Sequence, residues 1–319
     1  MNNSEHIVNL DLPPKERWHF LSEFSDDINS LLQYYLDDFE EAQDIFTSIG
    51  EYKKDIISEE YLLEIDYIAS ISKFTPDQVL IANLYYDILK FYFGCTAFAV
   101  HHEGEVLHAR NLDWHTENNI LSKHSKIFNF QKNGKTIYKT VGWTGFVGAL
   151  SGTRPGSFSI TLNAVLSNDQ PEIDLPISFL IRHVLNTCQS FTEAKDVLEK
   201  TPIASDCLIL LSGTKADEMV VIERTPKRYA TRTGTDAPLV VTNDYKKLQN
   251  SEIEGGVLQS TSCGRFNRAT HLLTEKTPHN ALECLDILKD DKVMMQITVQ
   301  QMVFNNTTGD ITLIKTNTE

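Results

Sequence analysis

The chain has 319 residues, 41% of them hydrophobic, enough to bury a large core in one or two domains. Its 44 acidic residues against 29 basic ones give a net charge of −15, and no basic stripe is available to neutralise phosphates, which excludes nucleic-acid binding. No apolar run approaches the roughly 20 residues that a membrane-spanning helix needs, and Met1-Asn2-Asn3-Ser4-Glu5-His6 lacks the parts of a signal peptide, so a cytoplasmic address is expected.

Residues 14–90 read as helices, with Leu31, Leu32, Tyr35, Leu36 and Phe39 on one stripe. The acidic pairs Asp26-Asp27, Asp37-Asp38, Glu40-Glu41 and Glu59-Glu60 read as solvated helix faces. Thr75-Pro76-Asp77-Gln78 opens the last helix of this stretch as a capping box with proline at its first position. Hairpins are predicted around Glu103-Gly104, Asn133-Gly134 and Arg154-Pro155-Gly156. Helices at 176–187 and 191–200 come next, then strands at 207–211, 218–223, 228–232 and 239–243. Two further helices, 264–275 and 279–289, lead to a last hairpin through Asn305 to Asp310. Strand blocks separated by paired helices indicate an α+β fold of antiparallel sheets covered by helices. No linker, repeat or low-complexity segment divides the chain. The expected organisation is a helical N-terminal segment, 1–94, packed on a core at 95–319.

Cys95 carries the strongest chemical signal. If the first hairpin loop is Glu103 and Gly104, residue 102 pairs with 105 and Cys95 lands opposite Leu112. Arg110 and Asp113 then return beside Cys95, within the roughly 5–8 Å that neighbouring strands allow. A fixed cation favours the thiolate, which is the nucleophilic form. No histidine falls where it could act as base. The α-amino group of Cys95 could do so if the chain were cut after Gly94, with Asp113 holding the amine. The ordinary alternatives are a buried thiol used as a small hydrophobe and a surface Arg–Asp ion pair.

Several stretches together resemble the family of acid ceramidases and N-acylethanolamine-hydrolysing acid amidases, relatives of the bile salt hydrolases and penicillin V acylases. Leu10-Asp11-Leu12-Pro13-Pro14-Lys15-Glu16-Arg17-Trp18 is similar to the opening of the lipid amidases, and Thr75 to Tyr86 to the helix before their nucleophile. Cys95-Thr96, then Ala109-Arg110-Asn111-Leu112-Asp113-Trp114 and the block Gly145 to Asn163, follow in the family's order. The resemblance implies a four-layer αββα N-terminal-nucleophile hydrolase sandwich and a bacterial member of the family. It also implies Cys95 as nucleophile exposed by cleavage of the Gly94–Cys95 bond, Arg110 beside the thiolate, and Asp113 as partner of the new amine. Asn243 falls on the family's strand-ending Thr-Asn motif, where its amide would serve an oxyanion hole. The second arginine falls on Arg265 of Ser262-Cys263-Gly264-Arg265-Phe266-Asn267-Arg268-Ala269, and not on Arg268. Read without the resemblance, Asn243 could equally close an Asx turn, and Arg265 could be a solvated surface residue.

The expected activity is hydrolysis of the linear amide of an N-acyl compound, with N-acylethanolamine or ceramide-like lipids first. Bile-acid conjugates or penicillin V-type side chains come next, and an uncleaved acyl-chain-binding homologue is the non-enzymatic alternative. The expected partners are the small-molecule amide, a transient lipid or membrane surface, and, after self-cleavage, the two halves of the chain held non-covalently. Trp114, Trp143, Phe146 and Asn163 are candidates for the substrate wall, although aromatics are ordinary core material. Ala164 stands where the lipid amidases carry an acidic residue. The polar link Ser167 to Asp174 is shorter than theirs. The five cysteines show neither metal nor disulfide spacing; Cys188, Cys207 and Cys284 read as core, and Cys263 is a neighbour of Arg265. His101, His102, His108 and His115 also lack zinc-site spacing, so no metal or cofactor is expected.

Overall fold

The computed structural model describes residues 4–39, 49–50, 52–89, 93–116, 119–234, 237–250 and 260–316. The N-terminal segment holds strand β1 (Glu5–Asn9), a 3-10 turn at His19–Phe24, and helices α1 (Ser25–Asp37), α2 (Glu59–Ser70), α3 (Pro76–Asn83) and α4 (Tyr85–Leu89). Glu40 and Glu41 lie outside the described residues. At the start of α3 the Gln78 amide N–H donates to Thr75 Oγ1 at 3.3 Å and the Thr75 N–H to Gln78 Oε1 at 2.9 Å, completing the capping box. The segment is not wholly helical as expected. β1 runs parallel to residues 127–131 of the core, with Val8 buried and Glu5 bonded to Asn129 and Lys139 at 2.7 Å each. That pairing spans more than a hundred positions, so no local periodicity announces it.

The core begins with the hairpin β2 (Phe93–His102) and β3 (Glu105–Trp114). After α5 (Ile120–His124) come β4 (Ser125–Lys132), β5 (Lys135–Trp143), β6 (Ser151–Arg154) and β7 (Phe158–Asn163). Helices α6 (Ile177–Thr187) and α7 (Phe191–Lys200) precede β8 (Cys207–Ser212), β9 (Met219–Arg224), β10 (Tyr229–Thr233) and β11 (Leu239–Val241). Finally α8 (Ser262–Glu275) and α9 (Ala281–Leu288) lead to β12 (Thr298–Asn305) and β13 (Ile311–Lys315). One sheet has the order β1-β4-β5-β6-β7-β8-β9-β10, the other β11-β2-β3-β12-β13.

Side-chain alternation with a period of two stacks these sheets. Ala97 and Ala99 of β2 meet Leu208 and Leu210 of β8 and Val221 of β9 between them. Phe98 and Val100 point the other way, onto Ala269 and Leu273 of α8 and Leu285 of α9. On the large sheet, Ile160, Leu162, Ile209 and Leu211 pack with Phe179 and Val184 of α6 and Leu198 of α7. Helix, sheet, sheet, helix is the four-layer αββα sandwich of the N-terminal-nucleophile hydrolases.

The N-terminal segment is clasped to this sandwich by charge as well as by apolar contact. Glu64 of α2, fully buried, accepts from Arg17 Nη1 at 3.0 Å and from Arg182 Nη2 of α6 at 2.8 Å. The Arg182 guanidinium lies over the rings of Tyr61 and Phe130 at 4.6 and 5.0 Å. Trp18 meets Phe128 and Phe130 edge-on. Arg17 and Trp18, at the end of the Leu10–Trp18 motif, thus serve to dock the segment.

Candidate active site

The local cause of the site is a two-residue turn. Glu103 and Gly104 have φ of 48° and 87°, both left-handed as a type I′ hairpin requires. His102 therefore faces Glu105, Cys95 faces Leu112 and Gly94 faces Asp113. Alternation divides the group. Arg110, paired with Ala97, points between the sheets as Cys95 does, whereas Thr96 and Asp113 point toward α8 and α9. The register alone does not bring all three groups to one face, because residues 110 and 113 differ by an odd number. Asp113 approaches Cys95 through its cross-strand partner, Gly94. A Cβ at Gly94 would stand 3.3 Å from Asp113 Cβ and 3.1 Å from Met295 Sδ, so only a glycine fits without displacement.

Cys95 is buried, and its Sγ accepts from Arg110 Nη2 at 3.2 Å. The same guanidinium donates to the Leu150 carbonyl at 2.9 Å, to Ser151 Oγ and to the Leu162 carbonyl. These acceptors hold it in place without neutralising it. Among the described residues no carboxylate lies at ion-pair distance, so the positive charge is available to sulfur.

Strand β11 pairs with β2 only from Ala97 to Ala99 and ends at Val241, two residues earlier than predicted. Beyond that end a side chain continues the ladder. The Cys95 backbone N–H donates to Asn243 Oδ1 at 3.1 Å, and Asn243 Nδ2 donates to the Ala164 carbonyl at 2.8 Å. Ser262 Oγ fixes the Asn243 N–H at 2.9 Å. Arg265, reaching from α8, donates to Asn243 Oδ1 at 2.7 Å, to the Cys95 carbonyl at 2.6 Å and to Thr96 Oγ1 at 2.9 Å. Its Nη1 lies 3.9 Å from Asp113 Oδ2, while Thr298 Oγ1 donates to Asp113 Oδ1 at 2.6 Å. Burial pushes the Asp113 carboxyl above the usual range, and Arg265, Thr298 and Arg110 pull it back. Burial likewise lowers Arg265, opposed by Asp113 and Cys95. Asp113 Oδ2 accepts no hydrogen bond among the described residues, which leaves an acceptor beside the Gly94–Cys95 bond.

Arg268 lies one turn further along α8 and faces away, paired with Asp290 at 2.6 Å. Cys263 is exposed on the helix and does not line the site. Asn163 Nδ2 donates to the carbonyls of Val241 and Thr242, and its buried Oδ1 is unpartnered among the described residues. The aromatic candidates lie in the core beside α1 and α4. Trp114 packs with Tyr85, Tyr35 and Trp143 at 5.0, 5.9 and 5.6 Å, and Trp143 with Phe146 at 6.0 Å. His108 is bonded to Ser212 and Thr161, and no group of three or more histidines, cysteines or carboxylates suits a metal among the described residues. No helix among them is long and apolar enough to cross a membrane.

Three residues were missed in the sequence. Ser262 and Thr298 orient Asn243 and Asp113 from distant elements. Tyr86 of α4 lies near Cys95 and Arg110, and its hydroxyl donates to the Asn163 carbonyl at 3.3 Å. The Tyr85-Tyr86 pair closing the predicted helix was the available signal for Tyr86; Thr298 offered none.

The family model described as acyl-coenzyme A:6-aminopenicillanic acid acyl-transferase matches residues 100–314, which take in Arg110, Asp113, Asn163, Asn243 and Arg265 but begin after Cys95. Acid ceramidase of Balaenoptera acutorostrata scammoni is 30% identical over 250 residues, covering 69% of this chain and 62% of that protein. Human acid ceramidase is 28% identical over 70% of this chain and 63% of its own. The chain thus spans less than two thirds of the length of these relatives. A solved Caenorhabditis elegans N-acylethanolamine-hydrolyzing acid amidase ortholog is 28% identical with a TM-score of 0.57, covering 68% of this chain and 94% of that one.

Proposed function

The chain belongs to the acyl-coenzyme A:6-aminopenicillanic acid acyl-transferase family, and from that premise we propose that it is a cysteine amidase activated by its own cleavage at Gly94–Cys95. One observation carries the reading: the buried sulfur of Cys95 accepts from a guanidinium that, among the described residues, has no carboxylate at ion-pair distance. Sγ attacks the Gly94 carbonyl, the C–N bond to Cys95 breaks, and a thioester forms. That step frees the α-amine, which takes the role of base; water then hydrolyses the thioester, giving the Gly94 carboxylate and restoring the Cys95 thiol. Asp113 Oδ2, which accepts no hydrogen bond among the described residues, would hold that amine. In turnover, Sγ attacks the acyl carbon of the amide, and the α-amine passes the thiol proton to the leaving nitrogen. Water then hydrolyses the acyl-enzyme to the carboxylic acid. Asn243 would supply an oxyanion donor through the second hydrogen of its Nδ2, the first being given to the Ala164 carbonyl, a contribution of roughly 3–4 kcal/mol to lowering the barrier.

The substrate class we propose is the N-acyl lipid amide, an N-acylethanolamine or a ceramide-like molecule. The ceramidase and amidase relatives support it. The N-terminal segment, clasped through Glu64, stays on the core as a non-covalent partner. A second reading, an uncleaved acyl-chain-binding protein, rests on Ala164 and on the burial of Cys95 behind α4.

Intact-mass analysis decides between them. The first reading predicts a new chain beginning at Cys95 after mildly acidic, reducing incubation. It further predicts that Cys95→Ala loses both cleavage and hydrolysis. Cleavage of the Cys95→Ala protein at the same bond rejects this mechanism, and a wild-type chain that stays whole supports the second reading.

A further inference from the structure

A cavity at the rim of the sandwich, away from the cysteine, gathers positive charge in a chain whose net charge is −15. Its lining includes Ser4 and His6 of the N-terminal segment, Ser125 and Lys126 of β4, and Leu313 and Lys315 of β13. The two sheets converge there. β1 runs beside β4, while β13 arrives from the five-stranded sheet. Several lysines are matched with acids, as in Lys53–Asp77, Lys139–Glu5, Lys195–Glu199 and Lys276–Glu283. Lys126 and Lys315 are not. Among the described residues neither lies at ion-pair distance from a carboxylate. The Lys126 ammonium instead sits over the Phe24 ring at 4.3 Å.

The surroundings do not supply the missing charge. Glu5 is turned to Asn129 and Lys139. Glu23 acts only weakly on His6, against burial and the two lysines, which hold that imidazole below its usual range. Lys315 is itself lowered, first by burial and then by Lys126. Two ammonium groups lining one cavity repel one another, and a doubly charged anion between them reverses the sign of that interaction. The Ser125 hydroxyl is committed to the Leu121 carbonyl and to Gln300, so the remaining hydroxyl is that of Ser4. Ile7 and Leu12, 56% and 38% exposed, lie on the same N-terminal stretch.

We propose that this rim cavity binds a phosphate group between Lys126 and Lys315, presented either as the free anion or by the headgroup of an anionic phospholipid. The proposal does not depend on the chemistry of Cys95.

Full-length protein with its lysines dimethylated and observed by NMR is titrated with inorganic phosphate. The same protein is sedimented with vesicles of phosphatidylcholine alone and of phosphatidylcholine with phosphatidylserine. Saturable phosphate binding that raises the Lys315 pKa identifies the free anion as ligand. Sedimentation only with the serine-lipid vesicles, without a response to phosphate, identifies the headgroup. Lys126→Gln and Lys315→Gln should each weaken the response about tenfold. Lys315→Arg should keep it, and hydrolysis of a soluble amide should be unchanged in all three. An unchanged thermal midpoint separates loss of ligand from loss of fold. No response to either probe, or a response that survives both glutamine substitutions, overturns the proposal.

Discussion

Replacing Arg265 and Arg268 by alanine, one at a time, separates a site residue from a surface residue on one helix. Arg265 is 3% exposed and donates to the Cys95 carbonyl, Thr96 Oγ1 and Asn243 Oδ1, with Asp113 Oδ2 at 3.9 Å. Its removal strands Asp113 in the interior and leaves the Asn243 oxygen with the Cys95 N–H alone. Deleting one partner of a buried pair costs about 3–5 kcal/mol. Arg268 pairs with Asp290 at the surface, where solvent screens such a pair and its loss costs little. The expected gap is thus about 2 kcal/mol or more. Urea denaturation is the assay, carried out in the Cys95→Ala background so that cleavage does not confound the baseline, with the rate of the new N-terminus followed by mass in the active chain. Arg265→Ala should be the less stable protein and cleave slowly, while Arg268→Ala matures as wild type. If the two variants differ by under about 1 kcal/mol and mature alike, the assignment of Arg265 to the site is wrong.

Gly94→Ala should slow maturation, since the added Cβ meets Met295 Sδ at 3.1 Å and Asp113 Cβ at 3.3 Å; a time course by mass at unchanged thermal midpoint would show it. Glu64→Gln should lower urea stability by about 3–5 kcal/mol, because it leaves Arg182 buried without its carboxylate while Arg17 keeps Glu60, and adding Arg182→Met should restore most of the loss. His108 gives a pH prediction. Burial holds its folded pKa at about 3 against 6.5 when free, so the unfolded chain takes up a proton first as the medium is acidified. Stability is then full above the unfolded value and falls by about 1.4 kcal/mol per pH unit on the way down toward the folded one. His108→Gln should remove that slope between about pH 6 and pH 4, as read from urea midpoints, and a parallel pair of curves would contradict it.

What could be read from the sequence is what short-range rules control. The hairpin register followed from Glu103-Gly104, whose two left-handed residues fix the loop at two and every later pair with it. The capping box at Thr75 likewise forms as expected, although the helix it opens breaks at Leu84 into α3 and α4. The face on which Asp113 would fall was also legible, since period two settles it, but closeness was weighed without side. Asn243 and Arg265 were placed by resemblance alone. Their meeting at 2.7 Å depends on the end of β11 and the start of α8, which are joined through residues with no periodic signature. β1 and the Glu64–Arg182 pair were beyond reach for the same reason: each is a contact across more than a hundred positions.

The bond proposed for cleavage lies inside β2, which has β3 along its whole length and β11 along its middle. A chain end made there is an interior end. Scission at Gly94–Cys95 removes two rungs, Phe93 with Trp114 and Gly94 with Asp113, and leaves Cys95 to His102 paired as before. At most two residues of β3 lose a partner on that side, too short an edge on which another copy could add a strand. If the chain is cut there as proposed, the strand that carries Cys95 keeps its ladder and the new end stays inside the sheet.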